Sequence, residues 1–215
     1  CEDIKQKLLK KIPFLETERV RVLYSGKTPL DVPPKGPVKR PLRLITTSQL
    51  VTCKGLPNLL QALRTLLDQG FSLHYTALGN GPQEQELRSL CAGLDLDEHV
   101  TWKGFTTDVP GELQQADVFL LPSLEEGVPQ GLMEAMAAGL VPVASRVGGI
   151  PEVWPPSLPE GFLVPLEQGV DGIVHGLTHI LNADDASIRD WQGRAWKHVA
   201  DHLSAERCLS RIVQE

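Results

Sequence analysis

No stretch of this sequence approaches the 18 or so uninterrupted apolar residues of a membrane span, and its start has no positive-then-apolar signal pattern. A soluble, unexported, cytoplasmic protein is expected. Paired cysteines are also missing: Cys1, Cys53, Cys91 and Cys208 are scattered without C-x-x-C spacing, which argues against a zinc knuckle or disulfide framework and for reduced, incidental thiols. Basic residues are in the minority, 21 against 27 acidic ones, and the formal charge of −6 is poor material for gripping nucleic acid or anionic lipid. Any anionic ligand must therefore be held by local chemistry.

Few residues are aromatic, whereas 19 glycines and 17 prolines are more punctuation than a helical bundle tolerates. Many short elements joined by tight turns are implied. With 41% hydrophobic and 22% charged residues, the composition excludes disorder, collagen-like repeats and coiled coils. The 215 residues suit one full-sized domain with a fragment attached, and the initial Cys1 in place of Met suggests a processed product or a piece of something longer.

The opening CEDIKQKLLKKI has helical apolar spacing at Ile4, Leu8, Leu9 and Ile12, and RVRVLYS from Arg19 alternates as a half-buried strand does. Five prolines between Pro29 and Pro41 fix φ and remove backbone donors, so this stretch is expected to be an extended linker. A regular rhythm follows, with strands expected at 42–47, 71–78, 99–103, 117–121, 141–145 and near 162–164. Helices are expected between them at 56–69, 83–92, 111–115 and 130–138, and after them at 170–181, 186–201 and 204–213. Alternation at βαβ spacing forces parallel pairing with right-handed crossovers, hence an α/β, doubly wound, Rossmann-like sheet. In such sheets ligands bind outside the carboxyl ends of the strands.

Three loops at those ends carry candidate chemistry. S-Q-L-V-T-C-K-G (Ser48 to Gly55) puts Lys54 just before a helix N-terminus, where free amides already favour an anion; the bland alternative is a solvated lysine. L-G-N-G-P-Q lets the backbone approach a ligand at Gly79 and Gly81, but Glu84 stands where a dinucleotide fingerprint needs its third glycine, which disfavours NAD. In P-S-L-E-E-G-V-P-Q-G-L-M-E, Gly127, Pro129 and Gly131 make a sharp entry to a helix, with Glu126 before it and Glu134 about a turn inside. If the interval were wholly helical the two carboxylates would stand ~12 Å apart along the axis, too far for an acid pair but able to touch two parts of one extended ligand. Carboxylates accept bonds from hydroxyls, and the amides of residues 127–131 could receive a phosphate between them, so a nucleotide sugar fits this arrangement. The histidine pairs His175/His179 and His198/His202 have i, i+4 spacing but no third ligand, and are read as solvated helix surface. Ser123 lacks a G-x-S-x-G setting.

Together these segments resemble the C-terminal, donor-binding domain of retaining GT-B glycosyltransferases of family 4 (glycosyl transferases group 1), over about residues 42–214. The strongest element is E-G-V-P-Q-G-L-M-E-A-M-A-A-G-L-V-P-V-A-S, similar to the family's Glu-x7-Glu block; G-N-G-P, A-D-V-F-L-L-P-S and G-G-I-P-E occur in the expected order. The resemblance implies one half of a two-domain enzyme, with residues 1–28 as the tail of an acceptor domain, 29–41 as the interdomain linker and 42–215 as the donor domain. It implies catalytic roles for Glu126, beside the reacting carbon, and for Lys54, against the diphosphate. Glu134 would bond the ribose, while Gly127, Val128, Pro129, Gln130 and Gly131 would meet sugar and phosphate. Gly79 and Gly81 would also face the donor, and Lys103, Phe105 and Thr106 would lie along the base.

The implied donor is a UDP- or GDP-linked sugar, with no cofactor and no metal. The implied acceptor is a hydroxyl on a glycan or lipid-linked molecule, bound mainly by the other domain, which would also make any peripheral membrane contact. One departure stands out: Gln49 occupies the place where the family usually has Arg, five residues before the lysine, and a neutral amide cannot offset charge on a departing diphosphate. Arg43 or Arg146 is a candidate substitute. Rival readings are a non-catalytic binding or interaction module of the same fold, and a GT-B-like sugar-nucleotide epimerase.

Overall fold

The computed structural model describes residues 1–12, 14–22, 26–28, 38 and 40–213. The chain opens with α1 (Glu2–Lys11) and then alternates: β1 (Leu42–Thr47), α2 (Leu56–Asp68), β2 (Leu73–Leu78), α3 (Glu84–Gly93), β3 (Val100–Gly104), α4 (Val109–Gln115), β4 (Val118–Leu121), α5 (Gln130–Ala137) and β5 (Val141–Ser145). A short α6 (Ile150–Val153), β6 (Leu163–Val164), α7 (Gly169–Leu181), α8 (Asp185–His202) and α9 (Ala205–Val213) complete it.

All six strands pair in parallel, in the order β3-β2-β1-β4-β5-β6. Strand order reverses between β1 and β4, so the crevice above their carboxyl ends is where a ligand is expected. Every residue of β4 and β5 is buried, which is why these strands read as apolar runs without alternation. Helix α2 buries Leu56, Leu59, Leu60, Leu63 and Leu66 at spacings of three and four, a single apolar face. It packs with α3 and α7, while α5 packs with α8. Among the described residues no helix is long and apolar enough to cross a membrane.

Three segments depart from expectation, and one of them is β2, which starts at Leu73 rather than 71. Arg19 closes a 3-10 turn and residues 20–22 join no ladder, so the described part of RVRVLYS is not strand. Residues 23–25 lie outside the described ones. Helix α4 starts at Val109 rather than 111, because Asp108 caps it by accepting the Gly111 amide at 3.0 Å. The expected linker at 29–41 lies mostly outside the described residues, since only 38, 40 and 41 are described.

The amino end of the sheet is tied by charge. Asp117, 4% exposed, accepts from the Arg43 amide at 2.9 Å and from its guanidinium at 3.1 and 3.2 Å. Arg40 donates to the carbonyls of Leu181 and Ala183 at 2.9 and 2.8 Å, fixing the start of β1 to the end of α7. All four cysteines are unpaired. His175, His179 and His202 are exposed, as expected, but His198 is half-buried, and burial together with the neighbouring His202 pushes its pKa down. His179 packs beside Phe162 and Trp191, and no cluster of three metal-ligating groups occurs among the described residues.

Candidate functional site

At the reversal point the loops after β1 and β4 face each other. Lys54, in a 3-10 turn ahead of α2, places its Nζ 2.7 Å from Glu126 Oε2. Both side chains are largely buried, 19% and 12% exposed, so each charge depends on the other for compensation. Ser123 donates to the same Oε2 at 3.2 Å, and the Gly127 amide donates to Oε1 at 3.2 Å. Glu126 is thus oriented by three donors. The loop after β5 supports it from behind: Gly148 has φ +51° and sits so close that a Cβ there would collide with the Glu126 carbonyl oxygen.

At the same carboxyl end of the sheet lies a cleft, a cavity of about 360 Å³ whose walls include Thr47, Gln49, Gly79, Phe105, Thr106, Gly131 and Glu134 but neither Lys54 nor Glu126. Phe105 is 75% exposed, a large apolar ring held open to solvent at the cleft wall. Helix α5 begins only at Gln130, with Pro129 before it and no side-chain cap, so Glu126 precedes the helix and Glu134 lies inside it. Gly131 allows α5 to approach β1, since a Cβ there would lie 2.7 Å from Thr47 Oγ1. Glu134 also accepts from Lys27 Nζ at 2.6 Å.

Other expected residues sit elsewhere or are already engaged. Lys103 is turned to Glu112, bonding both its oxygens at 2.6 and 2.8 Å, and does not line the cleft. Gly81 packs against the Leu50 backbone, supporting the first loop from beneath. Val128 is half-buried against the core and Pro129 is buried, while the Gln130 amide donates to Val128 O at 2.9 Å. Arg43 cannot substitute for the missing arginine: it is paired with Asp117 at the start of β1, whereas the cleft lies at the carboxyl end. Arg146 is exposed in the loop after β5.

Sequence reasoning missed four contributors. Thr47 Oγ1 is buried and has no hydrogen-bond partner, at the wall of the cleft. Thr47 is legible in the sequence only as the last residue of a strand. Ser123 and Val109 come to the site through the β4 and α4 loops, and Lys27 through a segment that reads as a domain tail. The first turn of α1 also meets the site: Glu152 of α6 accepts the Glu2 and Asp3 amides at 2.9 and 3.4 Å, and Ile4 lies against Gly127. A carboxylate at a helix N-terminus is favoured by the peptide dipoles.

This fold is one Rossmann-like unit of the GT-B architecture, and solved structures share it. The Anabaena protein HepE, crystallised in complex with UDP-glucose, superposes with a TM-score of 0.81 over 98% of this chain and 60% of its own, at 19% identity. The chain belongs to the glycosyl transferases group 1 family, whose model matches residues 41–183. The amylovoran biosynthesis glycosyltransferase AmsK of Erwinia amylovora is 36% identical over 69% of this chain and 39% of its own length. The sulfoquinovosyl transferase SQD2 of Arabidopsis thaliana is 34% identical over 75% of this chain and 31% of its own. The chain therefore spans less than half the length of these curated relatives.

Proposed function

We propose that this chain is the donor-binding portion of a retaining, metal-independent glycosyltransferase that moves a hexosyl group from a nucleotide diphosphate sugar to a hydroxyl acceptor. The observation that carries this reading is the Lys54–Glu126 pair in the loops at the carboxyl ends of β1 and β4, where strand order reverses, at the same end of the sheet as a cleft walled by Glu134 and Gly131 of α5. Glu134 accepts the ribose hydroxyls, and the Phe105–Thr106 loop lies along the base. The diphosphate takes Lys54 and the amides at the start of α5, exchanging the local bonds these groups make in the free chain.

In the transfer the bond from the anomeric carbon to the diphosphate oxygen breaks, and a bond to the acceptor oxygen forms on the same face. The acceptor proton passes to the departing diphosphate, whose charge Lys54 offsets, while Glu126 orients the sugar and supports positive charge at the anomeric carbon. The acceptor, a glycan or lipid-linked hydroxyl, is bound mainly by chain outside this portion. The kinship with AmsK, an amylovoran biosynthesis glycosyltransferase, supports a place in polysaccharide assembly, and the reading takes a UDP- or GDP-linked donor and a cytoplasmic setting.

Titration calorimetry with uridine, guanosine and adenosine diphosphate sugars tests the reading. One of them binds with Kd between millimolar and micromolar, about −4 to −8 kcal/mol; no heat at millimolar ligand overturns the proposal. Glu134→Ala weakens the free nucleotide and the nucleotide sugar alike, by roughly 10- to 100-fold, as expected for hydrogen bonds to a charged acceptor. An effect confined to the sugar portion contradicts the ribose role.

Gln49 favours a second reading, a binding module without transfer, because it lines the cleft where a cation would serve the leaving group. Gln49→Arg raises diphosphate affinity by roughly 10- to 100-fold, in the range of one added charge-assisted hydrogen bond. Unchanged affinity shows that this position does not face the diphosphate.

A further inference from the structure

Lys27 belongs to a segment outside the Rossmann-like sheet, yet its ammonium reaches Glu134 Oε1 at 2.6 Å. Its backbone is fixed by the corner between α8 and α9. The Lys27 amide donates to Leu203 O at 2.9 Å, and the residue forms a parallel bridge with Ser204. Gly26 lies so close to Ser204 and Ala205 that a Cβ would stand 2.5 Å from the Ser204 carbonyl oxygen. The lysine is delivered by an anchored backbone, with its side chain only 25% exposed.

The direction of approach decides what the contact does. Glu134 forms a wall of two neighbouring cavities, the cleft of about 360 Å³ described above and a largely apolar one of about 210 Å³ against Pro110, Leu113 and Ala137. Lys27 lines the second cavity and not the first. It therefore meets the carboxylate from the side away from the cleft and leaves the cleft side open to a ligand.

We infer that Lys27 is a positioning residue for nucleotide binding: it holds the Glu134 carboxylate from behind so that its cleft side accepts the ribose diol. A carboxylate on three rotatable bonds loses rotamer freedom when it binds, and an ion pair that fixes it beforehand removes part of that cost. The segment before the proline-rich run thereby acts on the donor site without touching the donor. This inference rests on the ribose role proposed for Glu134.

The test uses UDP, GDP and ADP with this chain, and the 2′,3′-dideoxy form of whichever binds most tightly. Lys27→Met weakens that nucleotide about 5-fold, and Lys27→Arg restores it to within about 2-fold. The loss disappears for the dideoxy nucleotide and in a Glu134→Gln background, where Lys27 has no ribose-facing carboxylate to hold. Unchanged or tighter binding by Lys27→Met overturns the inference, since the pair would then be incidental or a competitor. A loss that persists with the dideoxy nucleotide also overturns it, because long-range charge would explain it. If Glu134→Gln alone leaves nucleotide affinity unchanged, or no nucleotide binds, the ribose role itself fails and the inference falls with it; if Glu134→Gln weakens binding and Lys27→Met does not, only the inference fails.

Discussion

Lys54→Met is expected to lower affinity for nucleoside diphosphates and their sugars by about 100-fold or more, and to destabilise the fold by about 2 to 4 kcal/mol. The stability loss follows from burial: Glu126 is 12% exposed, and without the ammonium it keeps only Ser123 and the Gly127 amide as donors. The binding loss follows from removing the cation proposed to face the diphosphate. Glu126→Gln is expected to behave oppositely in one respect. It frees Lys54 and removes a negative charge from the site, so diphosphate binding is retained or tightens 2- to 5-fold, while sugar transfer by an enzyme carrying this portion falls steeply. Calorimetry and urea unfolding on the two variants separate these effects. If both lose stability and neither changes nucleotide affinity, the pair is structural and the donor reading of Lys54 is wrong.

The second large effect concerns the backbone. Gly148→Ala is expected to cost about 2 to 4 kcal/mol, through both a left-handed φ of +51° and collision with the Glu126 carbonyl oxygen. Because the collision is with the residue proposed to face the reacting sugar, donor affinity is expected to fall together with stability. Gly70→Ala is the control, since φ is +86° there but no atom lies within 4 Å of the added Cβ. It costs about 1 to 2 kcal/mol for the conformation alone and leaves donor binding unchanged. Equal losses at the two glycines, measured by urea midpoint, would remove the steric argument and with it the claim that the β5 loop braces Glu126.

The sheet is largely legible in the sequence because its central strands and helices carry strong local signals. LRLITT and VPVAS end at glycine- or serine-bearing turns, and the observed β1 and β5 keep the expected bounds. Helix α2, with five leucines on one face and Pro57 in its first turn, ends one residue before the expected limit. Failures arise where alternation does not become a strand, as at residues 20–22 of RVRVLYS, or where a cap decides the boundary, as at Asp108. The site is legible as loops rather than as contacts. Glu126 and Lys54 both stand out in their own loops, but their ion pair joins residues 72 apart and no local pattern encodes it. The family resemblance assigns Lys103 to the donor site, yet its ammonium is satisfied by Glu112 on α4, a neighbour that only the folded chain reveals. Lys27 is invisible for the same reason in reverse, because it reaches Glu134 from another part of the fold.

A crystal structure of this chain with the nucleotide diphosphate sugar that binds most tightly is the most direct test of the donor-site account. The account predicts ribose hydroxyls within hydrogen-bond distance of Glu134, diphosphate oxygens on Lys54 and at the start of α5, and the sugar against Glu126. A nucleotide bound elsewhere, or in this cleft with its sugar at Glu134 and its ribose at Glu126, would contradict it.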